Sequence, residues 1–462
     1  MFERIKNFEY LKQVSIGLVS GAAALVLLIA GLSISGGPAV NPTDNAGQPS
    51  NSASNTPSAA PTAGRDCSVA AQAADPKLGA LQALVLKLDA TGADEILFDR
   101  DSTKPGATAS ALKLVTAAAA LQTLGPNYRV STRVYQDSAD PGTIYLVGAG
   151  DPTLSRLPAG KQSVYPNAPK LSNLAVSVNA AVGATPITKI ILDSSVFKGP
   201  SWDASWERSE QTIGYMSEVT ALQVDGDRNN AALETSPRST TPVMRAGKWF
   251  KAALGDTALA ATVSQGTRPT TAIQIAQVQS QPISKWISHM LAVSDNTEAE
   301  ALARLVSIDR GFDGSFASID AAFKQALKEA GLDPTGISVK DGSGLSANNA
   351  VSPAFMVQLI KKIYADTGDL NIIKQALPVA GESGSLASRF KGDNVDAAGH
   401  VFAKTGWIKT GYTLVGYINA KDGSVLFFAV YALGTTVTDA TKGAIDNLVT
   451  GFYRCGDKLS NQ

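Results

Sequence analysis

Ser110 and Lys113 stand three residues apart at the start of an Ala- and Leu-rich run, Ala109 to Leu124. A serine hydroxyl is a poor nucleophile at neutral pH, but an amine whose pKa is lowered by burial or nearby charge can take its proton. At spacing i, i+3 on a helix the two side chains share one face, and a Ser in the first turn feels the positive end of the helix dipole. The spacing alone selects nothing, since Ser195/Lys198 and Ser388/Lys391 have it too, but only Ser110 opens a long Ala-rich helix. Further along, Ser294-Asp295-Asn296 interrupts or closes a helical pattern, where a hydroxyl and an amide could face a cleft. Lys404-Thr405-Gly406 ends an extended run from Val401, where a cation and a hydroxyl could grip a substrate carboxylate. Each short pattern recurs elsewhere, at Ser177/Asn179, Ser346/Asn348 and Lys409-Thr410-Gly411, so the weight rests on the three as an ordered set.

Composition removes competing chemistries. The chain of 462 residues carries 40 Lys+Arg against 40 Asp+Glu, so it has no basic footprint for nucleic acid. Two His and two Cys cannot build a Cys₄, Cys₂His₂ or His₃ site, and no metal and no cofactor is expected. No G-x-S-x-G elbow occurs. Gly148-Ala149-Gly150 runs into Asp151-Pro152 rather than a helix start, and reads as a turn. Asp225, Asp227 and Asn229 resemble the start of a calcium loop, yet Asn230 and Ser236 occupy the positions that need Gly and Glu. His289 and His400, near Ser294 and Lys404, read as packing or surface residues, and the tryptophans, including Trp202, Trp206, Trp249 and Trp286, as core or lip residues.

Around these residues the chain divides readily. Residues 1–13 form a basic segment with Arg4, Lys6 and Lys12. The uncharged stretch Val14 to Ile34 would rise about 31 Å as a helix, and 14–35 is expected to be a membrane anchor or secretory signal. The flanking cations place the remainder outside the cytoplasm. Residues 36–66 are a Pro-, Ser- and Gly-rich linker that can bury no core. Cys67 and Cys455 bracket the rest of the chain, and in an oxidising compartment a disulfide between them is expected.

Within that region, 81–97 alternates like a strand and 109–124 reads as a helix ended by Gly125-Pro126. Short β-prone runs fill 129–275. Residues 282–308 and 352–365 carry helical patterns, 401–405, 412–419 and 425–433 read as strands, and a last helix has Ala444, Ile445, Leu448, Val449 and Phe452 on one face. Helices and strands mix without a βαβ rhythm, which favours an α+β fold.

In this order, SxxK, SxN and KTG form the signature set of penicillin-interactive serine enzymes. Several blocks extend the triple: ASALKLVTAAAAL at 109–121, VGAGDPTL at 147–154, SDNTEAEALAR at 294–304, DGSGLS at 341–346, LPVAGESGSL at 377–386, and Gly416-Tyr417. With them the chain resembles the D-alanyl-D-alanine carboxypeptidase/endopeptidase family, the class C low-molecular-mass penicillin-binding proteins, from about residue 80 to 435. The resemblance implies a transpeptidase/β-lactamase-like domain, an antiparallel sheet with flanking helices, at 67–128 and 276–456, interrupted by a β-rich inserted domain at 129–275. A third small domain is expected to be reduced or absent.

The resemblance also implies roles. Ser110 would attack the carbonyl of the penultimate D-Ala of a peptidoglycan stem peptide and free the terminal D-Ala, with Lys113 as base. Ser294 would relay a proton to the leaving amine, and Asn296 would hold Lys113 and the substrate amide. Lys404 and Thr405 would bind the terminal carboxylate. The backbone N–H groups of Ser110 and Trp407 would form an oxyanion hole, commonly worth ~3 kcal/mol per donor. β-Lactams would acylate the same serine, and endopeptidase cleavage is a companion expectation. Two positions depart from the family: Trp407 stands after Gly406 where Ser or Thr is usual, and Ala347 follows DGSGLS where Arg is usual. Of the two KTG copies the first is preferred, because Lys409 lies five residues beyond Lys404 and falls on the opposite strand face. A β-lactamase or esterase on this fold, and a non-catalytic penicillin-binding sensor or scaffold, are the alternatives that the sequence leaves open.

Overall fold

The computed structural model describes residues 64–88 and 91–461. The expected membrane segment and most of the linker lie outside the described residues. Among the described residues no helix is long and apolar enough to cross a membrane.

The first elements are β1 (Ala80–Leu88) and β2 (Asp94–Arg100), an antiparallel hairpin where the sequence pattern over 81–97 suggested a single strand. Thr91-Gly92 falls between them, and an alternation continuing across a turn disguises two strands as one. The expected helix at 109–124 begins as a 3₁₀ turn, Ala109–Leu112, and continues as α1 (Lys113–Leu124), ended by Gly125. Every residue of α1 from Lys113 to Leu121 is buried, so this is a central helix, and its four successive alanines let neighbours approach closely.

The segment 129–279 builds a sheet of its own. Its elements are β3 (Ser131–Gln136), β4 (Thr143–Val147), α2 (Leu171–Val182), β5 (Lys189–Asp193), α3 (Pro242–Leu254), β6 (Thr262–Gln265) and β7 (Ile273–Gln279). The strand order is β6-β5-β4-β3-β7, with β4–β5 and β5–β6 parallel and the pairs on β3 antiparallel. Two full helices thus stand among runs that read as β-prone. Leu171, Leu174, Ala175 and Val178 of α2 and Val243, Ala246 and Phe250 of α3 join a core with Val134, Ile144, Leu146, Ile190 and Leu192 of the sheet.

The chain then returns with α4 (Ile283–Val293) and α5 (Asn296–Asp309), the two halves of the 282–308 pattern, followed by α6 (Phe316–Glu329) and α7 (Pro353–Ala365). The strands β8 (Val401–Ile408), β9 (Gly411–Asn419) and β10 (Val425–Leu433) and the closing helix α8 (Asp439–Cys455) complete it. The main sheet is antiparallel throughout, in the order β2-β1-β10-β9-β8. Strand β10 shows how it divides two cores: Phe427, Ala429 and Tyr431 face the helices α1 and α4–α7, while Phe428, Val430 and Ala432 face α8. The Cys67–Cys455 disulfide, with Cα atoms 5.4 Å apart across 388 positions of sequence, ties the start of the described chain to the end of α8.

Candidate active site

Ser110 lies in the 3₁₀ turn and Lys113 begins α1, so one turn separates them and Lys113 Nζ stands 2.9 Å from Ser110 Oγ. The residue before the serine, Ala109, is held at φ 47°, a left-handed conformation unusual for a residue with a side chain. The Lys113 ammonium has two more partners, Asn296 Oδ1 at 2.7 Å and the Ser343 carbonyl at 2.8 Å. Its side chain is fully buried, and burial lowers its pKa from 10.5 to about 8 against the opposing pull of Asp341, Glu300 and Asp295. A substantial neutral fraction at physiological pH is what a base toward Ser110 requires.

The Ser343 carbonyl is aimed by a buried carboxylate pair. Glu300, on α5, accepts the N–H groups of Gly342 and Ser343, and Asp341 accepts those of Gly344 and Ser346, the indole N–H of Trp206 and the Asn349 amide. Burial raises both carboxyls, and the neighbouring Asp341 charge raises Glu300 further. Gly344 sits at φ 83°, where a Cβ would fall 1.8 Å from the Ala109 carbonyl. The loop 341–346 therefore locks directly onto the turn that carries Ser110.

Ser294 ends α4 at φ 65°, ψ 38°, and Asp295 caps α5 by accepting the Glu298 N–H. This break in the helical pattern projects Ser294 and Asn296 into the cleft. Ser294 Oγ accepts a bond from Lys404 Nζ at 2.9 Å, and Lys404 also donates to the Thr405 carbonyl at 2.8 Å. Lys404 is fully buried behind the cleft wall; burial and the Lys113 charge push its pKa well below the ordinary lysine value. The cleft surface before it is formed by the hydroxyls of Thr405 and Ser385, which bond one another at 2.7 Å. Ser385 belongs to the GESGSL run, and nothing in its spacing marked it as a site residue.

Strand β8 is the edge of the main sheet, so alternate backbone groups point away from β9. Ala403 N–H donates outward to Pro378 O at 3.0 Å, and parity places the Trp407 N–H on the same free edge. Gly406 is required: a Cβ there would fall 2.2 Å from Thr413 Oγ1 and 2.9 Å from Ser110 N. The close approach of Gly406 to Ser110 N brings strand β8 directly against the turn that carries the serine. Trp407 itself is 47% exposed, with its ring 6.3 Å from that of Tyr412. The second KTG copy falls where β8 ends: Lys409 and Thr410 are the two turn residues of the β8–β9 hairpin.

These groups open into a cleft of about 700 Å³ whose floor carries Ser110, Ser294 and Asn296 and whose rim carries Trp407 and Tyr412. The opposite wall, Ser205, Glu207, Glu210, Ile213 and Tyr215, comes from the 129–279 segment. The residues suggestive of a calcium loop hold ion pairs instead, Asp225 with Arg156 at 2.8 Å and Asp227 with Arg245 at 2.9 Å. His289 is mostly buried between Glu298 at 2.7 Å and Glu234 at 3.2 Å; burial disfavours its charge, but the two carboxylates prevail and raise it to about 11. Burial in turn raises its partner Glu298, to about 7. His400 stacks on Tyr453 with centroids 5.0 Å apart.

The family described as D-Ala-D-Ala carboxypeptidase 3 (S13) matches the chain over residues 66–240 and 228–452. A carboxypeptidase of Mycobacterium tuberculosis is 35% identical over 405 residues, covering 87% of this chain and 85% of its own. A D-alanyl-D-alanine carboxypeptidase of an Actinomadura species is 27% identical, covering 77% and 78%. Among solved structures, penicillin-binding protein 4 of Haemophilus influenzae superposes with a TM-score of 0.69 at 20% identity, covering 81% of this chain and 97% of that one, and so shares its fold.

Proposed function

The chain belongs to the D-Ala-D-Ala carboxypeptidase 3 (S13) family, and from that premise we propose how its cleft removes the terminal D-alanine of peptidoglycan stem peptides. The enzyme is a serine-type D-Ala-D-Ala carboxypeptidase. The observation that carries the assignment of its centre is the buried Lys113 amine, lowered to about 8 and 2.9 Å from Ser110 Oγ.

Neutral Lys113 takes the Ser110 proton as Oγ bonds to the carbonyl carbon of the penultimate D-Ala. The oxyanion that forms is stabilised by the amides of Ser110 and Trp407. The C–N bond then breaks, and the leaving amine receives the Lys113 proton through Ser294, whose hydroxyl is held by Lys404, so that Lys113 is neutral again. Asn296 keeps Lys113 aligned through its Oδ1, and its Nδ2 donates to the Tyr215 carbonyl at 3.2 Å. The terminal carboxylate meets the hydroxyls of Thr405 and Ser385 with the Lys404 amine behind them, and supplies the counter-charge that the buried amine lacks. Water then attacks the ester carbonyl, Lys113 accepts its proton, and Lys113 returns that proton to Ser110 Oγ as the Ser110–acyl bond breaks. No step calls on a metal or cofactor. A penicillin enters the same sequence by opening its lactam, and DD-endopeptidase cleavage uses the same chemistry on a longer leaving group.

Acting on peptidoglycan, the protein works outside the cytoplasm. Residues 14–35 serve as its membrane anchor in this reading, and 129–275 as a domain inserted into the catalytic fold. The direct test offers the ectodomain a peptide ending in D-Ala-D-Ala and assays free D-alanine. Release by the wild-type chain and none by Ser110→Ala supports the assignment; equal release by both refutes it.

A further inference from the structure

The 129–279 segment does more than wall the cleft, because it reaches under the catalytic serine-asparagine pair. Asp295, between Ser294 and Asn296, is buried and holds its backbone from two directions. Oδ1 accepts the Glu298 N–H at 2.9 Å, and Oδ2 accepts Arg228 Nη2 at 2.6 Å. Arg228 comes from the inserted segment, and both side chains are 2% exposed. A second residue of that segment closes the arrangement: Tyr165 OH accepts Arg228 Nη1 at 2.7 Å and donates to Asp295 Oδ2 at 3.3 Å. The guanidinium is itself fixed, bonded through Nε to the Glu234 carbonyl at 3.2 Å and through Nη1 to the Asp225 carbonyl at 3.3 Å, and lying 4.9 Å over the Tyr165 ring.

Two residues on either side of this clamp make the contacts that chemistry needs. Ser294 lies in a left-handed conformation that a serine does not favour by itself. Its hydroxyl must nonetheless stay 2.9 Å from Lys404 Nζ, and Asn296 Oδ1 must stay 2.7 Å from Lys113 Nζ. A buried carboxylate with a fixed cation on one oxygen and a helix N-terminus on the other leaves the 294–296 backbone little freedom.

We propose that Arg228 is a positioning residue for the carboxypeptidase reaction, through which the inserted segment holds Ser294 and Asn296 in their working geometry. The inference rests on the reading of Ser110 as the acylated nucleophile. It makes the insert an integral part of the catalytic centre, with Arg228 and Tyr165 acting on Asp295 beside the direct bond from Asn296 Nδ2 to the Tyr215 carbonyl at 3.2 Å.

The test compares Arg228→Met, Arg228→Lys and Tyr165→Phe with the wild type, using D-Ala release for kcat and KM, labelled penicillin for acylation rate, and circular dichroism for folding. For Arg228→Met the expectation is kcat lower by about 100-fold with KM changed less than about threefold, since the loss falls on the chemical step rather than on binding. Arg228→Lys, which keeps the charge, recovers about tenfold of that loss. A merely structural tie would lower melting temperature and leave kcat per folded enzyme unchanged, and that result overturns the proposal. Should Arg228→Met fail to fold, Tyr165→Phe decides: it keeps the ion pair, loses the bridging hydroxyl and is expected to lower kcat about three- to tenfold, and an unchanged kcat again overturns it. Failure of the wild type to label at Ser110 would defeat the carboxypeptidase reading instead, whereas a labelled wild type beside an equally fast Arg228→Met defeats this inference alone.

Discussion

Lys404 Nζ lies 2.9 Å from Ser294 Oγ, linking residues 110 positions apart, the KTG strand and the turn between α4 and α5. In the mechanism proposed above, the bond joins the part of the cleft that reads the substrate's carboxylate to the part that returns a proton to the leaving amine. Because Lys404 is buried beside another lysine, its charge is poorly supported until an anion arrives. Substrate binding and proton delivery are therefore coupled through one side chain.

The duplicated KTG yields the first prediction. Lys404→Ala removes the amine behind Ser294 and Thr405 and should lower penicillin acylation and D-Ala release by at least about 100-fold. Lys409→Ala changes a turn residue on the cleft mouth and should leave both within about threefold. Stopped-flow acylation of the two variants checks this; a normal Lys404→Ala beside an inactive Lys409→Ala would transfer the role to the second copy.

A second prediction concerns pH. A base must be unprotonated, and burial lowers Lys113 to about 8, so kcat/KM should rise with pH through the neutral range and level off above about 8. Below that point the slope should approach about tenfold per pH unit. Asp295, Glu300 and Asp341 favour the charged form, so removing one negative charge, as in Asp295→Asn, should move the limb to lower pH. A profile flat from pH 6 to 9, measured with the peptide substrate, would be inconsistent with Lys113 as the base.

Trp407 gives a third. In the proposed mechanism its backbone N–H serves the oxyanion, while its ring is 47% exposed. Trp407→Ser should therefore keep kcat within about threefold while KM shifts by up to about tenfold and the preference among stem-peptide side chains broadens. Gly406→Ala should abolish acylation, since its Cβ would meet Thr413 Oγ1, the Thr108 carbonyl and Ser110 N. Steady-state kinetics on two peptides of different side-chain bulk measure the first, and an active Gly406→Ala would contradict the second.

The Cys67–Cys455 bridge gives a fourth. It closes a loop across nearly the whole described chain, and neither cysteine lies at the cleft. Cys67→Ala/Cys455→Ala should lose about 2–5 kcal/mol of stability, read as a lower midpoint in denaturant, with kcat unchanged at low temperature. An unchanged midpoint would mean that the bridge contributes nothing to stability.

Most of the centre was legible because its chemistry is local in sequence: one helical turn joins Ser110 to Lys113, and three consecutive residues carry each of the other two motifs. The cysteine pair and the strands at the C-terminal end were legible too, from compartment chemistry and from alternation. What escaped depends on tertiary pairing. The β1–β2 hairpin read as one strand because its alternation carries across Thr91-Gly92. Helix α2, LSNLAVSVNAAV, is rich in Val, Ser and Asn, residues of modest helical preference, though its buried positions 171, 174, 175 and 178 keep helical spacing. Arg228, Tyr165 and Ser385 lie far in sequence from the residues they serve, and no spacing rule reaches them. His289 read as a packing residue, and its two carboxylate partners come from places that only the fold brings together.

The most direct measurement is the mass of the protein after brief exposure to a penicillin, with the modified peptide located by fragmentation. The expected result is one covalent adduct, on Ser110, formed by the wild-type chain and absent from Ser110→Ala, with D-alanine release inhibited in proportion to labelling. Release of D-alanine that persists in the fully acylated protein, or an adduct on any other residue, would contradict Ser110 as the nucleophile.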